Sequence, residues 1–128
     1  MAYPTGSGSE RLHRGMMDNQ ATSATAFTWG GTQPTVGNAS ATVPAHHIIT
    51  LLTILVCEMT NNATRTFTLY GHDGAQQINL LYDQNTGAKG TFIWNDKVVF
   101  HPGDWLKING SSGSGFDVHY TYIAQNWT

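Results

Sequence analysis

The stretch His47–Met59, HIITLLTILVCEM, is the longest apolar run in the chain and constrains the fold more than any other segment. Its length alone allows a helix. Its β-branched residues, with Pro44 before it and Asn61-Asn62 after it, favour a strand instead. Successive side chains of a strand point to opposite faces. Here both sets are apolar from His47 to Cys57, so the run reads as a strand buried on both faces. A strand in a sandwich meets the core with one face only. The second face then needs a cover: an N-terminal arm, a partner subunit or a third layer. This is the main sequence-level reason to expect an oligomer.

The rest of the chain from Gly37 onward reads as short strands between turn residues. Ala39–Val43 is a short strand. Arg65–Tyr70 alternates, with Phe67 and Leu69 on one face. Asp73-Gly74 turns it into Gln76–Tyr82, which gives a hairpin. Asn85–Gly87 leads into Gly90–Trp94, where Phe92 and Trp94 are expected to pack the core. Asn95-Asp96 breaks the run and Lys97–Phe100 resumes it. In His101-Pro102-Gly103-Asp104, proline and glycine fit the two central positions of a type II turn. Trp105–Asn109 follows, with Trp105 facing away from Leu106 and Ile108. After a Gly/Ser loop at Gly110–Gly115, Phe116–Ala124 carries Phe116, Val118, Tyr120 and Tyr122 on one face. The expected fold is all-β: an antiparallel β-sandwich or small jelly roll of about eight strands.

Residues 1–35 show little periodicity and hold Gly6, Gly8, Gly15, Gly30, Gly31 and Pro34. Only Ser9–Met17 suggests a helical turn, and Gly15 interrupts it. The expected organisation is an extended N-terminal arm over 1–35 and a β-sandwich domain over 36–128. A plain spacer has no need of Tyr3, Leu12, Met16, Met17, Phe27 and Trp29. These read as anchors for a partner surface, with Phe27 and Trp29 alternatively forming a first strand of the domain. On the domain, Trp105 and Trp127 are further partner-binding candidates. Deleting residues 1–35 is expected to leave a folded domain that no longer holds its partner.

Charged residues are 11% of the chain, against roughly 25% in typical domains, and the net charge is −2. Without runs of Lys or Arg, nucleic-acid binding by phosphate neutralisation is not expected. No stretch of about 20 apolar residues spans a membrane. The polar start, Met1–Gly8, lacks the apolar segment of a signal peptide, so cytosolic synthesis is expected and four Asn-x-Ser/Thr sequons carry no weight. The single Cys57 reads as a buried small hydrophobe. No His-x-His pair occurs among six histidines, and adjacent His46 and His47 point apart on a strand. Any set drawn from Ser112, Asp117 and His119 is arbitrary in a chain so rich in these residues. The acids sit mostly at turns: Asp73, Asp83, Asp96 and Asp104. Neither an enzyme, a metal site nor a cofactor is expected.

Val43-Pro44-Ala45 entering a long strand, Asn61-Asn62 at its exit, Phe67–Tyr70, and His101-Pro102-Gly103-Asp104 with Leu106 form a recognisable succession. Over Gly37–Ile123 it resembles small β-sandwich structural proteins of tailed-bacteriophage virions, most of all the head decoration, or cement, proteins. The resemblance implies a protein assembled in the host cytoplasm onto the virion head. There it would bind the major capsid protein as a homo-oligomer, with a trimer favoured, and tie capsid subunits together. The other functions open are a receptor- or glycan-binding module of a tail or fibre, with Trp105 and Tyr122 stacking on sugars, and a neck or tail connector.

Overall fold

A computed structural model describes residues 9–20, 24–30, 39–111 and 115–127. Tyr3 and the centre of the Gly/Ser loop lie outside them. The described chain forms β1 (Ser9–Gln20), β2 (Thr25–Ala26), β3 (Trp29–Gly30), β4 (Ala39–Ser40), β5 (His47–Glu58), β6 (Thr66–His72), β7 (Gln77–Asn85), β8 (Thr91–Trp94), β9 (Val98–Phe100), β10 (Trp105–Gly110) and β11 (Phe116–Asn126). One five-stranded sheet runs β1-β11-β5-β8, with β9 also on β5; a four-stranded sheet runs β2-β10-β6-β7; β3 pairs with β4. All pairings are antiparallel. The fold is thus an all-β antiparallel sandwich.

Alternation sets the core. β11 buries Phe116, Val118, Tyr120, Tyr122 and Ala124, and β10 buries Leu106 and Ile108. The turn between β9 and β10 forms as the sequence dictates: Asp104 N–H donates to His101 O at 3.0 Å, and Gly103 takes φ 91°. Phe67 and Leu69 are buried, and Phe92 and Trp94 pack against the core as partly exposed residues.

Strand β5 differs from expectation. Its pairing with β11 slips once, from Thr121 opposite Thr53 to Tyr122 opposite Leu51, which leaves Leu52 as the extra residue of a bulge. A bulge resets the alternation. Ile49 and Leu51 point inward before it, Ile54 and Val56 after it, and all four are buried. Part of the unbroken apolar run is therefore a change of phase. The strand is not buried on both faces: Leu55 is exposed and Ile48 and Cys57 are half-buried.

The expected boundary at residue 35 does not hold. β1 is the outermost strand of the five-stranded sheet, in register with β11 from Ser9 opposite Asn126 to Met17 opposite Val118. Phe27 and Trp29 are 0% and 1% exposed, so they are core residues and not anchors for a partner. Trp29 sits edge-on to Tyr122 at 5.0 Å and to Tyr120 at 5.8 Å. Phe27 N–H donates to Leu106 O at 2.8 Å. Tyr120 Oη donates to Thr28 O at 2.9 Å and accepts from Thr28 N–H at 3.1 Å. Gly15 is needed for its lack of a side chain: a Cβ there would stand 2.1 Å from Tyr120 Cζ.

Glu58, at the end of β5, is a buried carboxylate. It accepts hydrogen bonds from Thr60 N–H at 2.5 Å, Lys89 N–H at 3.0 Å and Asn62 N–H at 3.2 Å, and from the Thr60 hydroxyl. Burial opposes its ionisation, but these donors outweigh it and hold the pKa at about 2, against an ordinary 4.5. One acid thus fastens two loops that contain the left-handed residues Asn61 and Lys89.

Two outcomes follow. Trp29→Ala is expected to lower unfolding free energy by about 3–5 kcal/mol in urea titrations, and deletion of residues 1–35 to abolish cooperative unfolding, in place of leaving a folded domain. The Glu58 contribution is complete above about pH 4.5 and is lost as pH falls towards 2. Glu58→Gln is expected to remove that part of the acid-side decline in urea midpoints.

Candidate functional site: the outward face of the five-stranded sheet

In an antiparallel sheet, directly opposed residues share a face, so the registers define rows of side chains across the strands. One outward row runs Leu12, Ile123, Thr50, Val99. A second runs Met16, His119, Leu55, Ile93. Between them lie Arg14, Thr121 and Thr53, and beyond the second lie Asp117, Cys57 and Thr91. Exposure is 70% for Leu12, 63% for Met16, 58% for Ile93, 52% for Val99 and 37% for Leu55. Single exposed apolar residues are ordinary, but aligned rows of them mark an interaction surface. A groove of ≈470 Å³ runs along the second row, bordered by Met16, Leu55, Cys57, Thr91, Asp117 and His119.

The face exists because each strand alternates. β1 places Glu10, Leu12, Arg14, Met16 and Asp18 outward; on its other side His13 stacks on Tyr122 at 5.3 Å, and Met17 packs against the core. Burial, and then the charge of Arg11, push the His13 pKa down.

The anchors expected from sequence are divided by the structure. Leu12 and Met16 come together on this face. Met17, Phe27 and Trp29 belong to the interior. Trp105 lies on the outward side of the other sheet, stacked on His72 at 4.7 Å, edge-on to Tyr70 at 5.8 Å and under Lys107 Nζ at 4.4 Å. Trp127 is held at the start of β5, edge-on to His46 at 5.9 Å, its N–H donating to His46 O at 3.1 Å. A sugar platform built on Trp105 and Tyr122 does not form: Tyr122 is buried, and His72 and Lys107 already occupy the Trp105 ring.

Ile93, Val99, Leu55 and Ile123 were not picked out by sequence, although each lies between residues that are buried or packed against the core. Cys57, expected to be buried, is half-exposed beside Asp117, because the bulge at Leu52 turns it outward. His119 and Cys57 face outward on the five-stranded sheet while His72 stacks on Trp105 on the other. Among the described residues no three His, Cys, Asp or Glu stand close enough to hold a metal ion. No helix is long and apolar enough to cross a membrane.

No protein-family model and no curated protein matches the sequence. Similar solved structures include a Bacillus endospore appendage from a family of disulfide-linked pili, 11% identical, with a TM-score of 0.48 over 100% of this chain and 97% of that one. They also include the VP2 subviral particle of infectious bursal disease virus, 11% identical, with a TM-score of 0.46 over 91% of this chain and 37% of that one. The T13 particle of the same virus is 11% identical, with a TM-score of 0.46 over 93% and 36%. This chain spans about a third of the length of those viral chains.

The geometry predicts that Cys57 in the folded protein is alkylated by iodoacetamide without prior unfolding. Mass spectrometry of native protein checks it, and protection as complete as that of a core thiol would show the face to be covered within the chain.

Proposed function

We propose that this chain is a non-catalytic structural protein of a tailed-phage virion, a capsid decoration protein that seats the outward face of its five-stranded sheet on the head. The observation that carries the reading is the pair of exposed apolar rows, Leu12–Ile123–Thr50–Val99 and Met16–His119–Leu55–Ile93. The resemblance of residues 37–123 to head decoration proteins supports the choice of partner, the major capsid protein.

The size of the face fits that role. Four strands side by side at about 4.8 Å spacing, and about 11 residues along them at about 3.4 Å each, give roughly 700 Å². A standard stable interface takes about 800 Å² from each partner. Scarce charge suits contacts that survive salt, since few of them rest on ion pairs. Repetition of such contacts over a head ties neighbouring subunits together through avidity.

Purified protein added to empty heads is expected to coat them evenly in electron micrographs and to raise their resistance to heat. Leu55→Asp with Ile93→Asp, both at exposed positions, is expected to leave the fold intact and reduce head binding at least about tenfold, and binding is expected to protect Cys57 from alkylation. Label confined to one vertex or to the tail would overturn the decoration reading, as would unchanged binding by the double variant.

A further inference from the structure

Among the described residues the two main sheets have four edges, and they are not alike. β2 is two residues long. The opposite edge of its sheet, β7, carries two register shifts against β6 and a left-handed Asp83. The far edge of the five-stranded sheet is divided between β8 and β9, four and three residues long. Short strands, bulges and breaks are the usual devices that stop an edge from recruiting another strand. β1 has none of them from Ser9 to Met17: its register with β11 is unbroken there, and among the described residues it pairs on that side only. Its outward residues Leu12 and Met16 are also the two most exposed of the apolar rows.

Its charges decide what can add to it. Two copies joined in one continuous antiparallel sheet must oppose residues of the same face, so the two-fold axis passes midway between the two copies of one residue. Centring on Arg14 sets arginine against arginine and Glu10 against Asp18. Centring on Arg11, His13 or Gly15 sets charged residues against Leu12 or Met16. Centring on Met16 carries the ladder into the irregular stretch between Met17 and Gln20. Centring on Leu12 sets Leu12 against Leu12 and places Glu10 of each copy opposite Arg14 of the other, with Arg11 opposite His13 on the inward face and Ser9 opposite Gly15. Glu10 and Arg14 are both exposed and available for this pairing. A lone lysine would blunt this edge; opposite charges at 10 and 14 make it self-complementary.

We propose that β1 is a homotypic pairing edge, through which two copies of this chain join antiparallel about Leu12 into one continuous sheet. The pairing closes at two copies, in place of the three that the decoration-protein resemblance implies. It brings the two outward faces side by side on one surface. It does not rest on the proposed function: isolated protein that dimerises but ignores phage heads keeps this inference and removes the other.

Sedimentation velocity of the full chain, from about 5 to about 500 µM, is expected to show a monomer–dimer equilibrium. Arg14→Glu sets acid against acid at two places and is expected to weaken the dimer at least about tenfold. Adding Glu10→Arg to it restores both pairs with their signs exchanged, and with them the wild-type dimer. Thermal unfolding of all three proteins, recorded below the dimer range, serves as the control for folding. In a Cys57→Ser background, Leu12→Cys is expected to form an oxidised dimer across the axis and Met16→Cys not to. A monomer at every concentration, no rescue by the double variant, or cross-linking at 16 in preference to 12 overturns the proposal.

Discussion

Everything on the N-terminal side of this protein depends on the ring of Tyr120. The ring lies over Gly15, where even a methyl group has no room. Its hydroxyl both donates to and accepts from the backbone of Thr28. Its edge and faces meet Phe27, Trp29 and Tyr122. β1 at Gly15 and the stretch Phe27–Trp29 are thus both fixed to β11 by one side chain. A buried hydroxyl must find partners, and this one finds them in the backbone of Thr28, which lies between β2 and β3. With β1 pressed against β11 by the absence of a side chain at 15, the outward side of β1 becomes the rim of the sheet. The β1 end of the exposed rows and the pairing edge follow from that contact.

A sandwich has enough apolar residues to fill its interior without using Leu12, Met16, Leu55, Ile93 or Val99. Their presence on the solvent side carries no folding advantage in a lone chain, since removing them from water requires something else to cover them. Around them the surface is Thr-rich: Thr50, Thr53, Thr91 and Thr121 lie on the same face. Threonine suits a sheet and offers both a methyl and a hydroxyl. The face is therefore mildly apolar, with its charged residues on β1 and at Asp117. Charge concentrated at the rim directs sideways pairing, and its absence from the centre leaves the face free to dock.

Most of β5 to β11 was legible in the sequence because those strands carry their period-two pattern between strong turn signals. The Pro102-Gly103 turn, the Asp73-Gly74 hairpin and the inward row Phe116, Val118, Tyr120, Tyr122 needed only alternation and turn chemistry. β1 was misread for a physical reason. Its pattern, Glu10, Leu12, Arg14, Met16, Asp18, alternates cleanly, but the alternate positions hold Arg11, His13 and Gly15 in place of apolar residues. A strand at the rim of a sheet covers little core, so its inward side has no hydrophobic signature, and a glycine demanded by a distant tyrosine reads locally as a breaker. Phe27 and Trp29 were ambiguous because two-residue strands carry no period at all. The Leu52 bulge was invisible because a phase shift inside an apolar run leaves the run apolar. The outward face was anticipated as a surplus on β5. Its other members, Ile93, Ile123 and Val99, become neighbours only through long-range register, which no local pattern encodes.

Edge and face have different consequences for assembly. A docking face alone gives each copy one attachment, and its strength is limited by the entropy of fixing one small body. Edge pairing joins two faces rigidly before either meets its target, so the second attachment is made at an effective concentration set by the dimer and not by solution. Rigidity matters here, because a ladder of backbone hydrogen bonds sets the angle between the two sandwiches through sheet twist. Two faces held at one fixed angle match a surface of one curvature and misfit others. Selectivity for a large, regular target can therefore reside in the twist across the β1 pair, without any strongly specific side-chain contact on the face itself.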